Sequence, residues 1–156
     1  MFLIETLKSE KMEELRIKRA YEPAEPDDGY RVYVDRLWPR GLSHTTFHYD
    51  LWDKNIAPST QLREWFHSDP VGRWDEFVKR YASELRANPA FASLKTVLAG
   101  HPKVTLLYSS HDSAHNNAAV LREVIEGGLI VDLPEKSRGG GAIATGRPAA
   151  SKPKTD

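Results

Sequence analysis

One nearly unbroken apolar run, Val104-Thr105-Leu106-Leu107-Tyr108 behind Lys103, constrains this chain more than any other stretch. A strand with apolar side chains on both faces has to be covered on both, which is the setting of a central strand in a parallel sheet. Ser110-His111-Asp112-Ser113 follows at once and leads into a helical segment with Ala118, Ala119, Val120, Leu121, Val124 and Ile125, closed by Gly127-Gly128. Strand, turn and helix make half of a βαβ unit. The predicted fold class is α/β: a small three-layer domain with a mixed, partly parallel sheet covered by helices.

Two further strands precede it. Leu15 to Tyr21 alternates and is ended by Pro23 and Pro26; Tyr30, Val32 and Val34 alternate with Arg31, Tyr33 and Asp35 after the Asp27-Asp28-Gly29 turn. Spacing leaves open whether these two pair as a hairpin. From Gly41 to Pro58 no period is sustained, and Leu51 and Trp52 read as anchors of a structured loop. Ser59 or Thr60 is a helix N-cap, and Leu62, Trp65 and Phe66 form a core-facing stripe. A second helix restarts near Ser68-Asp69-Pro70, with Trp74, Phe77, Val78, Tyr81 and Leu85 on one face. Asn88-Pro89 breaks it, and Phe91, Leu94, Val97 and Leu98 mark a third. Leu129-Ile130-Val131 reads as a short final strand.

Residues 1–14 form a charged N-terminal arm, 15–135 the α/β domain, and 136–156 a Gly/Ala/Lys tail expected to be disordered. The 156 residues include no cysteine, which removes disulfides and thiolate metal sites. Met1-Phe2-Leu3-Ile4 is too short for a signal peptide, and nothing approaches the roughly 20 apolar residues of a membrane helix. A cytoplasmic location and no membrane contact are expected. Formal net charge is zero, but the tail from Lys136 is basic, so the body is slightly acidic. That balance makes binding to duplex nucleic acid an unfavoured expectation.

The chemistry gathers at two places. Asp35, Arg36, Trp38 and Arg40 surround Pro39 at the carboxyl end of a strand, where ligands of α/β sheets collect. Guanidinium forks suit phosphate or carboxylate, and an indole offers a stacking face. The competing reading is an Asp35–arginine ion pair under a structured loop. Asp112, His115 and Asn116 occupy the turn and first helical turn after the central strand; Asp112 or Ser113 would serve equally as an N-cap. Arg63, on the first helix, is a further ligand-binding candidate. His111 and His115 have the spacing of two metal ligands on a helix, yet His111 falls before it, and no metal or cofactor is predicted.

The same residues carry a family resemblance. Asp28-Gly29-Tyr30-Arg31-Val32 running into Val34-Asp35-Arg36-Leu37-Trp38-Pro39-Arg40-Gly41, then Ala57-Pro58-Ser59, Leu62-Arg63, Trp65-Phe66, Arg73-Trp74 and Val104 to Tyr108 with Asp112 and His115-Asn116, resemble the YeaO-like branch of the domain-of-unknown-function family DUF488. The likeness spans about Arg16 to Glu126 and implies no established reaction. Some such proteins carry a MarR-type regulator label, but this chain shows no winged-helix pattern.

The expectation is a polar Arg/Asp/His/Trp pocket for an anionic small molecule or nucleotide. In an enzyme, Asp35 or His115 would act as general acid or base while Arg36, Trp38, Arg40, Arg63, Asp112 and Asn116 hold the ligand. The alternative is a non-catalytic small-ligand or nucleic-acid-associated regulatory module.

Overall fold

The computed structural model describes residues 12–127. They hold four strands, β1 (Glu14–Arg19), β2 (Tyr30–Tyr33), β3 (Leu51–Trp52) and β4 (Lys103–Tyr108), and four helices, α1 (Thr60–His67), α2 (Trp74–Ala87), α3 (Pro89–Leu98) and α4 (Asn117–Ile125). The arm, the tail and the strand expected at 129–131 lie outside the described residues, apart from the arm's last positions. Backbone contacts divide the chain into Met1–Arg122 and Glu123–Asp156. Of the second unit the described part is the end of α4, closed by Gly127 at φ 87°, whose N–H donates to the Val124 carbonyl (3.0 Å). The sheet and the site belong to the first.

The strand order is β1-β4-β2-β3, and each neighbouring pair is parallel. β4 is central and buried from Val104 to Tyr108, as its apolar run requires. The small α/β domain expected from the sequence is what forms, and among the described residues every strand pair of its sheet is parallel. The question left open by the 20–29 loop decides it. β1 and β2 do not form a hairpin; both pair with β4, which lies between them.

The returning segment explains how so short a link joins two parallel strands. A turn of 3-10 helix at Pro26–Asp28 leads into Gly29, with φ 67° and ψ −137°. A Cβ at that position would collide with the Lys103 carbonyl, so only glycine lets the chain pass the start of β4. Asp28 is buried here, bonded by Lys18 Nζ (3.0 Å) and ion-paired with the buried Arg31. The Thr105 hydroxyl donates to the Asp28 carbonyl (2.7 Å). This cluster is why β2 is buried at Arg31 as well as at Val32: its polar face is covered by charge partners rather than by solvent.

Helices follow the sequence closely. Ser59 Oγ accepts from the Leu62 N–H (3.2 Å) and donates to Glu84 (2.6 Å), tying the cap of α1 to α2. Phe77, Tyr81 and Leu85 of α2 are fully buried, and Phe77 stacks on Phe66 of α1 at 3.9 Å. Asn88 caps α3 through the Ala90 N–H (2.9 Å). Trp65 departs from expectation. It is half-buried, with the guanidinium groups of Arg73 and Arg80 4.8 and 4.5 Å from its ring.

Candidate functional site

Because β2 and β4 are parallel neighbours, their carboxyl ends share one edge, and the segments leaving them meet there. The joint is made by Asp35. Its Oδ2 accepts from the backbone N–H (3.1 Å) and hydroxyl (2.5 Å) of Ser109, and its Oδ1 from the Asn117 amide (2.9 Å). That amide also reaches the Val34 carbonyl (3.1 Å). Asp35 therefore clamps the end of β2 to the end of β4 and the start of α4. The structural ion pair with an arginine considered from the sequence is not the arrangement formed.

The loop after Asp35 is held by aromatic side chains that donate to its carbonyls. Trp52 Nε1 bonds Asp35 O (2.7 Å), the Tyr33 hydroxyl bonds Leu37 O (2.7 Å), and the Tyr21 hydroxyl bonds Arg40 O (2.6 Å). Trp38 turns its own N–H to Leu42 O (2.6 Å). Burial and the nearby Asp35 charge push the Tyr33 phenol well above its usual pKa, so it stays a donor. Trp38 is half-buried and packs edge-on against Phe47 and Trp52, with His44 stacked 3.9 Å away. Much of its ring is thus an anchor of the loop.

A cavity of about 400 Å³ opens at this edge. Arg36, Trp38, Arg40, Arg63, His115 and Asn116 all line it, so residues far apart in sequence face one space, as the parallel topology predicts. Phe66 and Phe77 line it also, together with His67 and His111. None of Arg36, Arg40 and Arg63 forms an ion pair among the described residues. The Arg36 Nε is buried without a hydrogen-bond partner, and its Nη2 makes one long bond to Pro58 O (3.4 Å).

Asp112 stands behind the lining. Its Oδ1 accepts from the Ala114 and His115 N–H groups (both 2.9 Å), and its Oδ2 meets His115 Nδ1 (2.9 Å). Those backbone donors, then His115, hold its carboxyl below the usual pKa. α4 starts at Asn117, so His115 lies in the turn before the helix, not in its first turn, and the cap is Asn116, whose Oδ1 accepts from the Ala119 N–H (2.9 Å). The helical spacing that pairs two histidines on a metal does not apply to 111–116. Among the described residues no group of three His, Asp or Glu side chains could hold a metal ion. Ser109 and Asn117 were not singled out from the sequence. The available signals were position alone, the residue ending the central strand and the second of an Asn-Asn pair.

The fold and site thus define a small parallel α/β domain with an arginine-lined pocket at its strand ends. Residues 14–138 match the family profile described as the inactive DUF488-N3 subclade, and the chain belongs to the DUF488 family. It is 42% identical over 113 residues to an uncharacterised protein of Mycobacterium tuberculosis, covering 72% of this chain and 94% of that one. It is likewise 42% identical over 109 residues to the uncharacterised protein YeaO of Escherichia coli, covering 70% and 94%, so the YeaO-like likeness holds. No solved structure matches the chain. Among the described residues no helix is long and apolar enough to cross a membrane.

Proposed function

We propose that this domain is a non-catalytic binder of a small anionic, nucleotide-like ligand. The observation that carries the reading is an imbalance at the pocket: Arg36, Arg40 and Arg63 have no carboxylate partner among the described residues, while both oxygens of Asp35 are engaged by neutral donors. Cations left unpaired beside a cavity, one with an orphaned buried N–H, favour an anion there. Asp35 so bound is a clamp rather than a free acid or base. The description of the subclade as inactive agrees with this.

Arg40 tests the reading. Its side chain is exposed and only its carbonyl is bonded within the loop, so Arg40→Ala should change stability by less than about 0.5 kcal/mol. Binding of phenyl phosphate, followed by calorimetry, should weaken at least about tenfold, since a charge-assisted hydrogen bond is lost. If the guanidinium instead braces the loop, denaturant titration will show a clear loss of stability and affinity will follow folding.

A second expected outcome concerns His67. Its side chain is largely exposed, yet partial desolvation lowers its pKa from the usual 6.5, the Arg63 cation lowers it further, and Asp35 partly opposes them. An anion beside Arg63 offsets that cation, so it raises the His67 pKa and binding takes up a proton. Affinity for an anion that keeps its charge over that range should therefore grow as pH falls, whereas phenyl phosphate loses its second charge at about pH 6, which opposes the gain. NMR titration of the His67 ring with and without phenyl phosphate checks this; an unchanged midpoint on saturation places the anion elsewhere.

One observation favours an enzyme as the second reading. The Asp112–His115 contact fixes the imidazole tautomer through Nδ1, the usual way of orienting a general base. In that case His115→Gln would abolish turnover of a substrate while leaving its binding within about twofold.

A further inference from the structure

We propose that the occupant of the pocket is a phosphate monoester, a dianionic phosphoryl group carried on a flat apolar body. The inference rests on the reading of the cavity as an anion site and goes beyond it to charge and shape.

The charge comes from the lining. Arg36, Arg40 and Arg63 face the cavity with Asp35 as its single carboxylate, which leaves two positive charges in excess, and guanidinium groups do not deprotonate. The three histidines in the lining add to this excess when protonated and never subtract from it. A monocarboxylate or a phosphate diester brings one negative charge and leaves a cation uncompensated. A phosphate monoester carries about 1.5 to 2 negative charges at neutral pH and offers three acceptor oxygens. Arg36 is poised for such an acceptor: its Nε has no partner and its Nη2 only the long bond to Pro58. A small turn of the guanidinium toward the cavity would exchange both for phosphoryl oxygens.

The apolar body follows from the rest of the lining. Leu37, Trp38, Ala57, Pro58, Phe66 and Phe77 supply the apolar part of the lining, beside polar groups such as Ser109 and Asn117, and Leu37 is 60% exposed. A leucine left in solvent beside Arg36 in the cavity lining serves no packing purpose in the free protein, and a ligand ring lying across the mouth would cover it. A volume of about 400 Å³ exceeds what inorganic phosphate fills and lies in the range of small-molecule sites.

Four probes separate charge from shape: phenyl phosphate, methyl phenyl phosphate, benzoate and inorganic phosphate, titrated into the full chain at pH 7.5 by calorimetry. Phenyl phosphate should bind at least about tenfold more tightly than each of the other three, because each lacks either one charge or the apolar ring. A smaller ratio to benzoate or to the diester overturns the dianion while the anion site stands. A smaller ratio to inorganic phosphate overturns the apolar body. Binding of none of the four at millimolar concentration overturns the anion site itself. In Arg63→Gln the preference for phenyl phosphate over benzoate should shrink; an unchanged ratio overturns the counting of charges.

Discussion

Asp28→Asn should destabilise the domain by about 3–5 kcal/mol, the usual cost of stranding one side of a buried ion pair. The carboxylate is 1% exposed and receives the Glu25 N–H (3.1 Å), Lys18 (3.0 Å) and Arg31. An amide can accept from one of these only by turning a donor toward another, and Arg31 is too enclosed to regain water. The same partners set a pH dependence. Burial alone would raise the Asp28 pKa, but the Glu25 N–H and the Lys18 and Arg31 cations outweigh it, so the carboxyl titrates below its usual range. A carboxyl depressed in the folded state contributes stability that is fully present above the unfolded value near 3.9 and is lost as pH falls through the folded value. The gap between wild type and Asp28→Asn should therefore be constant from neutral pH down to about 4 and narrow below it. Urea titrations at a series of pH values measure that gap, and a gap that stays constant into strong acid would remove Asp28 from the account.

Asp35→Asn should cost about 2–3 kcal/mol, although it changes one atom. The clamp receives donors alone: the N–H and hydroxyl of Ser109 on one oxygen, the Asn117 amide on the other. Placing the new amide NH₂ at Oδ2 sets it against the Ser109 N–H, which cannot rotate away. Placing it at Oδ1 requires Asn117 to flip, and the flip forfeits the Asn117 bond to Val34 O. A residue acting only as general acid or base would behave otherwise, with activity lost and the unfolding midpoint unmoved. Differential scanning calorimetry of this variant distinguishes the two roles, and a midpoint within one degree or so of wild type would return Asp35 to the chemistry.

The sequence showed most clearly what hydrophobic period and turn chemistry encode. The central strand, the stripe of α2, the Ser59 cap and the Asn88-Pro89 break are local patterns, and local patterns can be counted. β3 escaped because a two-residue strand has no period to display. The parallel order escaped because it depends on Gly29 passing Lys103, a contact between segments remote in sequence. Within the site, the parallel topology was enough to bring His115 and Arg36 to one cavity. The division of labour there was not legible. Asn116, a candidate ligand residue, is the cap of α4, while Asn117 and Ser109 engage Asp35; which of several adjacent polar residues turns inward is decided by where the backbone enters the helix, within one residue. Trp65 shows the same limit, since an indole packed with two guanidinium groups has the spacing of a core residue without its burial.

The carbonyls of the loop after β2 are held by side chains from other segments, Tyr21, Tyr33 and Trp52, and none of those bonds involves the side chains of Arg36, Leu37 or Arg40. Frame and fittings are thereby separate parts. Replacing the exposed Leu37 and Arg40 leaves the frame standing, so a chain of this design can exchange one ligand for another through a few substitutions without first having to refold its loop.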